Sequence, residues 1–154
     1  MSSALETLQS AVAERLRQQL NLAGATVLVR RASDLDSQIE AAAEGALGLC
    51  VIVLDPRPKR VAPAVPGPAF LEIVLTVRII ENLLTETEGP GLLAAAERSS
   101  QVLHLWPLPP DCGDGALQIM ETDPWTIPPG TLRGANALDL HFHASCALAL
   151  AATN

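Results

Sequence analysis

A chain of 154 residues with 49% hydrophobic and 18% charged side chains has room for one domain with a core of its own, and is too apolar for the disordered class. A net charge of −7 is the wrong sign for gripping nucleic acid through its phosphates, and a 3% aromatic share without tyrosine leaves few of the rings on which single strands stack. No apolar run approaches the roughly eighteen residues of a membrane span, and MSSALETLQ lacks the basic and apolar regions of a signal peptide, so a cytoplasm-like compartment is expected.

In chain order, Ser2 or Ser3 caps a first helix, with Glu6 completing a capping box after Ser3. Leu5, Leu8, Val12, Leu16 and Leu20 recur at helical spacing opposite Glu14, Arg15, Arg17 and Gln18, an amphipathic pattern that Asn21 and Gly24 end. Residues 25–30 (ATVLVR) read as a short strand. Ser33 and Asp34 cap an Ala-rich helix over about 35–46, and the unbroken apolar run LCVIVL at 49–54 fits a central strand covered on both faces.

Residues 55–69 (DPRPKRVAPAVPGPA) carry five prolines, which suit neither a central strand nor a helix interior. The expectation is a projecting, semi-rigid arm or hairpin tip, with Arg57, Lys59 and Arg60 as a basic patch on an acidic chain. Such a patch either keeps an edge from aggregating or docks on an acidic neighbour, including another copy of the same chain.

The longest regular pattern is Phe70–Leu84 (FLEIVLTVRIIENLL). Leu71, Ile73, Leu75, Val77 and Ile79 share one face while Glu72, Thr76, Arg78 and Asn82 share the other, the signature of a half-buried strand. About fifteen residues at ~3.3 Å each give a strand on the order of 45 Å, more than twice the usual length. Turn chemistry follows in TETEGPG (85–91), and Thr87 or Glu88 with Pro90 opens a third helix whose apolar side is Leu92, Leu93, Ala96, Val102, Leu103 and Trp106. After a loop at 107–115 come a short strand at 116–120 and a proline-broken excursion at 122–133. Strict alternation then returns over 137–147, with Leu138, Leu140, Phe142, Ala144 and Cys146 opposed by Asp139, His141, His143 and Ser145. The order α-β-α-β-(arm)-β-α-β-β implies one α+β domain over 1–154, a mixed, mostly antiparallel sheet with helices packed on one face, and the arm at 55–69.

Catalytic signals are sparse. Asp139-x-His141-x-His143 places two imidazoles and a carboxylate on one strand face and is the best candidate metal site, though no HExxH or second His/Cys cluster accompanies it. Cys50, Cys112 and Cys146 form no CxxC and suggest neither a disulfide framework nor a zinc site. Cys50 and Cys146 read as small buried hydrophobes, and Cys112 lies in an acidic loop that disfavours its thiolate. Ser99 and Ser100 lack a nucleophile elbow, His104 reads as packing or capping, and Gly89-Pro90-Gly91 lacks the GK[ST] of a phosphate loop. No catalytic residue, metal or cofactor is assigned. Trp125, in a proline-rich loop, is either a plug over the core or an exposed anchor.

The amphipathic first helix, the 49–54 strand, the very long 70–84 strand after a projecting loop, the Gly-Pro-Gly-led helix and the final Asp139-Leu140-His141-Phe142 strand together resemble the tail terminator, or tail completion, proteins of tailed phages and phage-tail-like particles. The resemblance implies a non-enzymatic virion protein, assembled in the host cytoplasm. It would form a homo-oligomeric ring, a hexamer, on the head-proximal end of the tail tube, ending tube polymerisation and meeting connector or neck proteins, with DNA only passing through the lumen. The surfaces expected to meet neighbours are Arg57, Lys59 and Arg60, Glu72 and Arg78 on the long strand, and Trp125. A head-completion or connector ring subunit and a small metal-dependent enzyme built on Asp139, His141 and His143 are the alternatives.

Overall fold

The computed structural model describes residues 3–19, 26–30, 49–61, 69–82, 91–128 and 135–148. Helix α1 spans Ala4–Gln19. It starts where the capping box predicts: the Ser3 amide donates to Glu6 Oε2 at 2.8 Å, and the Glu6 amide donates to Ser3 Oγ at 3.1 Å. Leu8, Val12 and Leu16, one per turn, are wholly buried against the sheet. The buried Gln9 on the same side donates its amide to the Val53 carbonyl at 2.9 Å, which fixes the helix along the sheet.

Among the described residues the sheet has seven strands: β1 (Thr26–Arg30), β2 (Leu49–Leu54), β3 (Arg57–Val61), β4 (Ala69–Asn82), β5 (Gln118–Ile119), β6 (Trp125–Thr126) and β7 (Ala135–Leu148). Its main order is β1-β2-β4-β7-β5, with β3 also on β4 and β6 also on β7. Only β1 and β2 run parallel; the other pairings are antiparallel. A parallel neighbour needs a crossover connection. The helix expected over 35–46 falls in that connection, outside the described residues.

Strands β4 and β7 make the spine, paired in unbroken register from Ala69↔Leu148 to Asn82↔Ala135. The long half-buried strand read from the sequence is therefore a single element of 14 residues, and the second alternating stretch lies alongside it for its whole length. Leu71, Ile73, Leu75, Val77 and Ile79 of β4 share the core with Leu140, Phe142 and Cys146 of β7. Every residue of β2 is buried, and Cys50, Ile52 and Leu54 lie outside the cluster formed by Leu49, Val51 and Val53, as expected of a strand covered on both faces.

Helix α2 (Leu92–Leu103) covers the β4–β7 core face beside α1. Its N-terminal amide at Leu92 donates to Glu81 Oε2 at 3.3 Å, so a carboxylate from the end of β4 supplies the anion that a helix start favours. The expected Thr87 or Glu88 start with Pro90 lies outside the described residues. The apolar stripe corrects the expectation at two positions: Leu93 is 67% exposed and Trp106 lies past the helix end at Leu103, while Ala95, Ala96, Ser99, Val102 and Leu103 face inward.

The second correction concerns the proline-rich arm. Its first part, Arg57–Val61, is a strand on β4 of the same chain rather than a free projection. β2 and β3 follow one another along the same side of β4. From Val53↔Val77 to Arg57↔Val74 the outer strand advances four residues while β4 advances three, and a further slip falls between Pro58 and Arg60. Bulges of this kind bend and twist a strand. Among the described strands β3 pairs with β4 alone, so Pro58 sits on an edge, where a missing amide is tolerated. Residues 62–68, between β3 and β4 in the sequence, lie outside the described residues.

Candidate assembly surface

The sheet face turned away from α1 and α2 carries the residues singled out as a possible metal site. Arg78 and Asp139 are direct cross-strand neighbours on β4 and β7. Their contact is bidentate, Arg78 Nε donating to Asp139 Oδ1 at 2.8 Å and an η-nitrogen to Oδ2 at 3.0 Å. The pair is largely dry, with side-chain exposures of 19% for Arg78 and 8% for Asp139. One step along, Thr76 and His141 are likewise opposite. The His141 ring lies between two hydroxyls, Thr76 Oγ1 at 3.1 Å from Nδ1 and Thr126 Oγ1 at 2.7 Å from Nε2. A hydroxyl both donates and accepts, so a neutral ring is satisfied at both nitrogens whichever carries the proton.

That arrangement is chemically closed. The Asp139 carboxylate is committed to a guanidinium, both His141 nitrogens are occupied, and His143 lies exposed two residues further on. Among the described residues no group of three or more His, Cys, Asp or Glu is placed to hold a metal. The network ties β4, β6 and β7 together. Arg78, expected at an interface between subunits, is bound within its own chain.

The remaining assembly candidates fall on the edges. Arg57 and Lys59 are exposed on β3, and Arg60 stands opposite Glu72 of β4, which is half-buried. Trp125 is 37% exposed and donates its indole N–H to Ser100 Oγ at 3.1 Å, which joins β6 to α2. It is thus both tethered and partly presented, between the two roles read from the sequence. Two positions on, Ile127 is 83% exposed.

Beyond β7 lies an acidic rim, of which the sequence shows only the acidic loop around Cys112. Asp111, within the 3-10 turn Pro110–Cys112, and Asp114, Glu121 and Asp123, on the segments before and after β5, are all exposed. This rim follows β7 closely: a Cβ placed on Gly115 would sit 3.3 Å from the Ser145 carbonyl oxygen. The available signal was charge density, since no Lys or Arg occurs between Arg98 and Arg133.

The cysteines and His104 take structural places. Cys50, Cys112 and Cys146 are free and fully buried. The Cys112 thiol donates to the Ala4 carbonyl at 3.2 Å and is pushed up to about 12, first by burial and then by Cys146 and Asp111. Burial also raises Cys146, against an opposing hydrogen bond from Cys112. Such thiols are poor nucleophiles at neutral pH. His104, at the end of α2, accepts the Ile119 amide on Nδ1 at 3.1 Å.

No protein-family model matches this sequence, and no curated protein matches it. Among solved structures, the chain is similar to one described as "Virion of native gene transfer agent (GTA) particle", with 22% sequence identity and a TM-score of 0.62. The similarity covers 95% of this chain and 99% of that one, so the α+β architecture described above is shared from end to end with a chain of a virion structure.

Proposed function

We propose that this protein is a structural component of a phage-like virion, acting as a tail terminator. Copies form a ring on the head-proximal end of the tail tube, stop its polymerisation and offer the surface on which head or neck proteins seat. The observation that carries this is the end-to-end likeness to a chain of a gene transfer agent virion, a particle of the class to which the sequence resemblance points. The physical features agree with it. A spine of two paired 14-residue strands gives a rigid subunit, and a closed ring needs two different patches that meet on successive copies. A net charge of −7 suits a passage through which DNA slides without being held.

The test is native mass measurement of the purified chain, alone and with tail-tube protein, followed by electron microscopy of the mixture. The expected result is a closed ring of 16.2 kDa subunits that caps tube ends and limits tube length. A chain that stays monomeric under both conditions would refute the proposal. Rings that bind head-side proteins and ignore the tube would identify a head-completion or connector subunit instead.

A further inference from the structure

The ring proposed above leaves open which surfaces join its copies. The sheet register bears on this, because it fixes what stands level with what across the subunit. Arg57 of β3 is opposite Val74 of β4, Val74 is opposite His143 of β7, and His143 is opposite Gln118 of β5. One row therefore crosses four strands, with a basic residue at one end and the β5 edge at the other. Pro58 continues the next row through Ile73 to Ala144. At the far edge Asp114 lies close to that level, and Glu121 lies about three residues along, past the level of His141. Asp114 adjoins Gly115, which packs against the Ser145 carbonyl, and Glu121 follows shortly after β5. At about 4.8 Å per strand, the two edges of this four-strand row are only on the order of 15 Å apart.

Both edges are exposed and opposite in sign. Neither Arg57 nor Lys59 makes an ion pair with a described residue, and the same holds for Asp114 and Glu121. Main-chain pairing across such a junction is poorly supported: Pro58 has no amide to give, the register of β3 slips beside it, and β5 is two residues long. Side-chain charge is left as the complementary feature. An edge of one sign that must meet an edge of the other sign cannot pair with its own copy by a two-fold axis without opposing like charges. Head-to-tail contact satisfies both edges, and that is the contact that generates rings.

Given the ring-forming role, on which this rests, we propose that the occupant of the β3 edge is a second copy of this chain. Arg57 and Lys59 of each subunit face Asp114 and Glu121 of the next. The basic edge is then a subunit joint and is not available to hold DNA in the lumen.

Charge exchange tests this in the full-length chain. Arg57→Glu with Lys59→Glu sets glutamates against Asp114 and Glu121 of the next copy, and Asp114→Lys with Glu121→Lys sets lysines against its Arg57 and Lys59. Each double variant alone, folded by circular dichroism, is expected to run as a monomer under conditions where the wild type forms rings. An equimolar mixture is expected to recover the wild-type ring mass, because each basic edge again meets an acidic one. Lys59 is the sole lysine of the chain, so carbodiimide coupling offers a second measurement. In rings mixed from isotopically heavy and light chains, its cross-links to Asp114 or Glu121 should appear as heavy–light peptide pairs.

Variants that form rings as readily as the wild type would overturn the proposed joint while leaving the ring intact. Folded variants that fall apart and are not rescued by mixing would also overturn it, placing these charges on some other partner, nucleic acid included. A wild type that never forms rings removes the ring itself, and the joint with it.

Discussion

The Arg78–Asp139 pair allows a stability prediction with a built-in asymmetry. Replacing Arg78 with Met leaves the Asp139 carboxylate, 8% exposed, in a site where the guanidinium supplied both hydrogen bonds. Replacing Asp139 with Leu leaves the guanidinium behind, but Arg78 is 19% exposed and its long stem lets the head reach water. Breaking a buried pair by deleting one partner costs about 3–5 kcal/mol, and replacing both partners with apolar residues of similar volume is often neutral. Arg78→Met should therefore lie near the top of that range, Asp139→Leu at or below its lower end, and the double variant within about 1 kcal/mol of the wild type. For a chain of this length each kcal/mol moves the melting temperature by about 2–4 °C, so Arg78→Met should lower it by about 10 °C or more.

Urea titration supplies the free energies, with the m-value as a check that the unfolded reference is unchanged. All four proteins must be compared at one chain concentration, because association adds to apparent stability. A double-mutant cycle with no coupling, or single variants within about 0.5 kcal/mol of the wild type, would show the pair to be an ordinary solvated contact and refute the reasoning.

Three further outcomes follow from the same coordinates. Ser3→Ala removes half of the capping box and should cost about 1 kcal/mol in the urea midpoint, with Ser3→Asp restoring most of it. Ser99 is wholly buried on α2 and its hydroxyl has no hydrogen-bond partner among the described residues, so Ser99→Ala should be neutral or raise the unfolding free energy by up to about 1 kcal/mol; a clear loss would mean the hydroxyl is satisfied in solution. Cys112 ionises near 9.0 when unfolded and is pushed up to about 12 when folded. The folded state then holds more protons between those values, so its contribution to stability is whole below about pH 9 and is lost as pH rises toward 12. Native protein at pH 8 should leave Cys112 unmodified by a thiol reagent, and modification at the rate of a free thiol would contradict its burial.

What could be read from the sequence was what depends on neighbours in the chain. The capping box at Ser3 and Glu6, the one-per-turn leucines of α1 and the period-two runs of β4 and β7 are all local patterns, and they appear where they were expected. Strand β3 was missed because five prolines in fifteen residues argue against any interior strand, whereas an edge strand pairs on one side only and tolerates Pro58. Strand β6 has only two residues and exists because the Pro124 carbonyl accepts the His141 amide, a contact no local pattern encodes. The Arg78–Asp139 pair spans 61 positions and follows from the β4–β7 register alone, so Asp139-x-His141-x-His143 looked more like a ligand set than it is. The acidic rim is legible as composition, but its place opposite Arg57 and Lys59 is a property of the sheet.

The pairing of β4 with β7 has a consequence for how the chain is made. Residues joined across that ladder are separated by 53 positions at one end and 79 at the other, so β4 gains its second neighbour only after at least 53 further residues have been made. Until then the nascent hairpin of β2, β3 and β4 presents one open flank of unpaired amides and carbonyls. Contacts so distant in sequence form slowly, and an uncovered flank is where newly made copies can join wrongly. Strand β7 is therefore both the last of the described strands to be made and the part that closes this flank, and variants that lack it should be insoluble rather than form a smaller soluble domain.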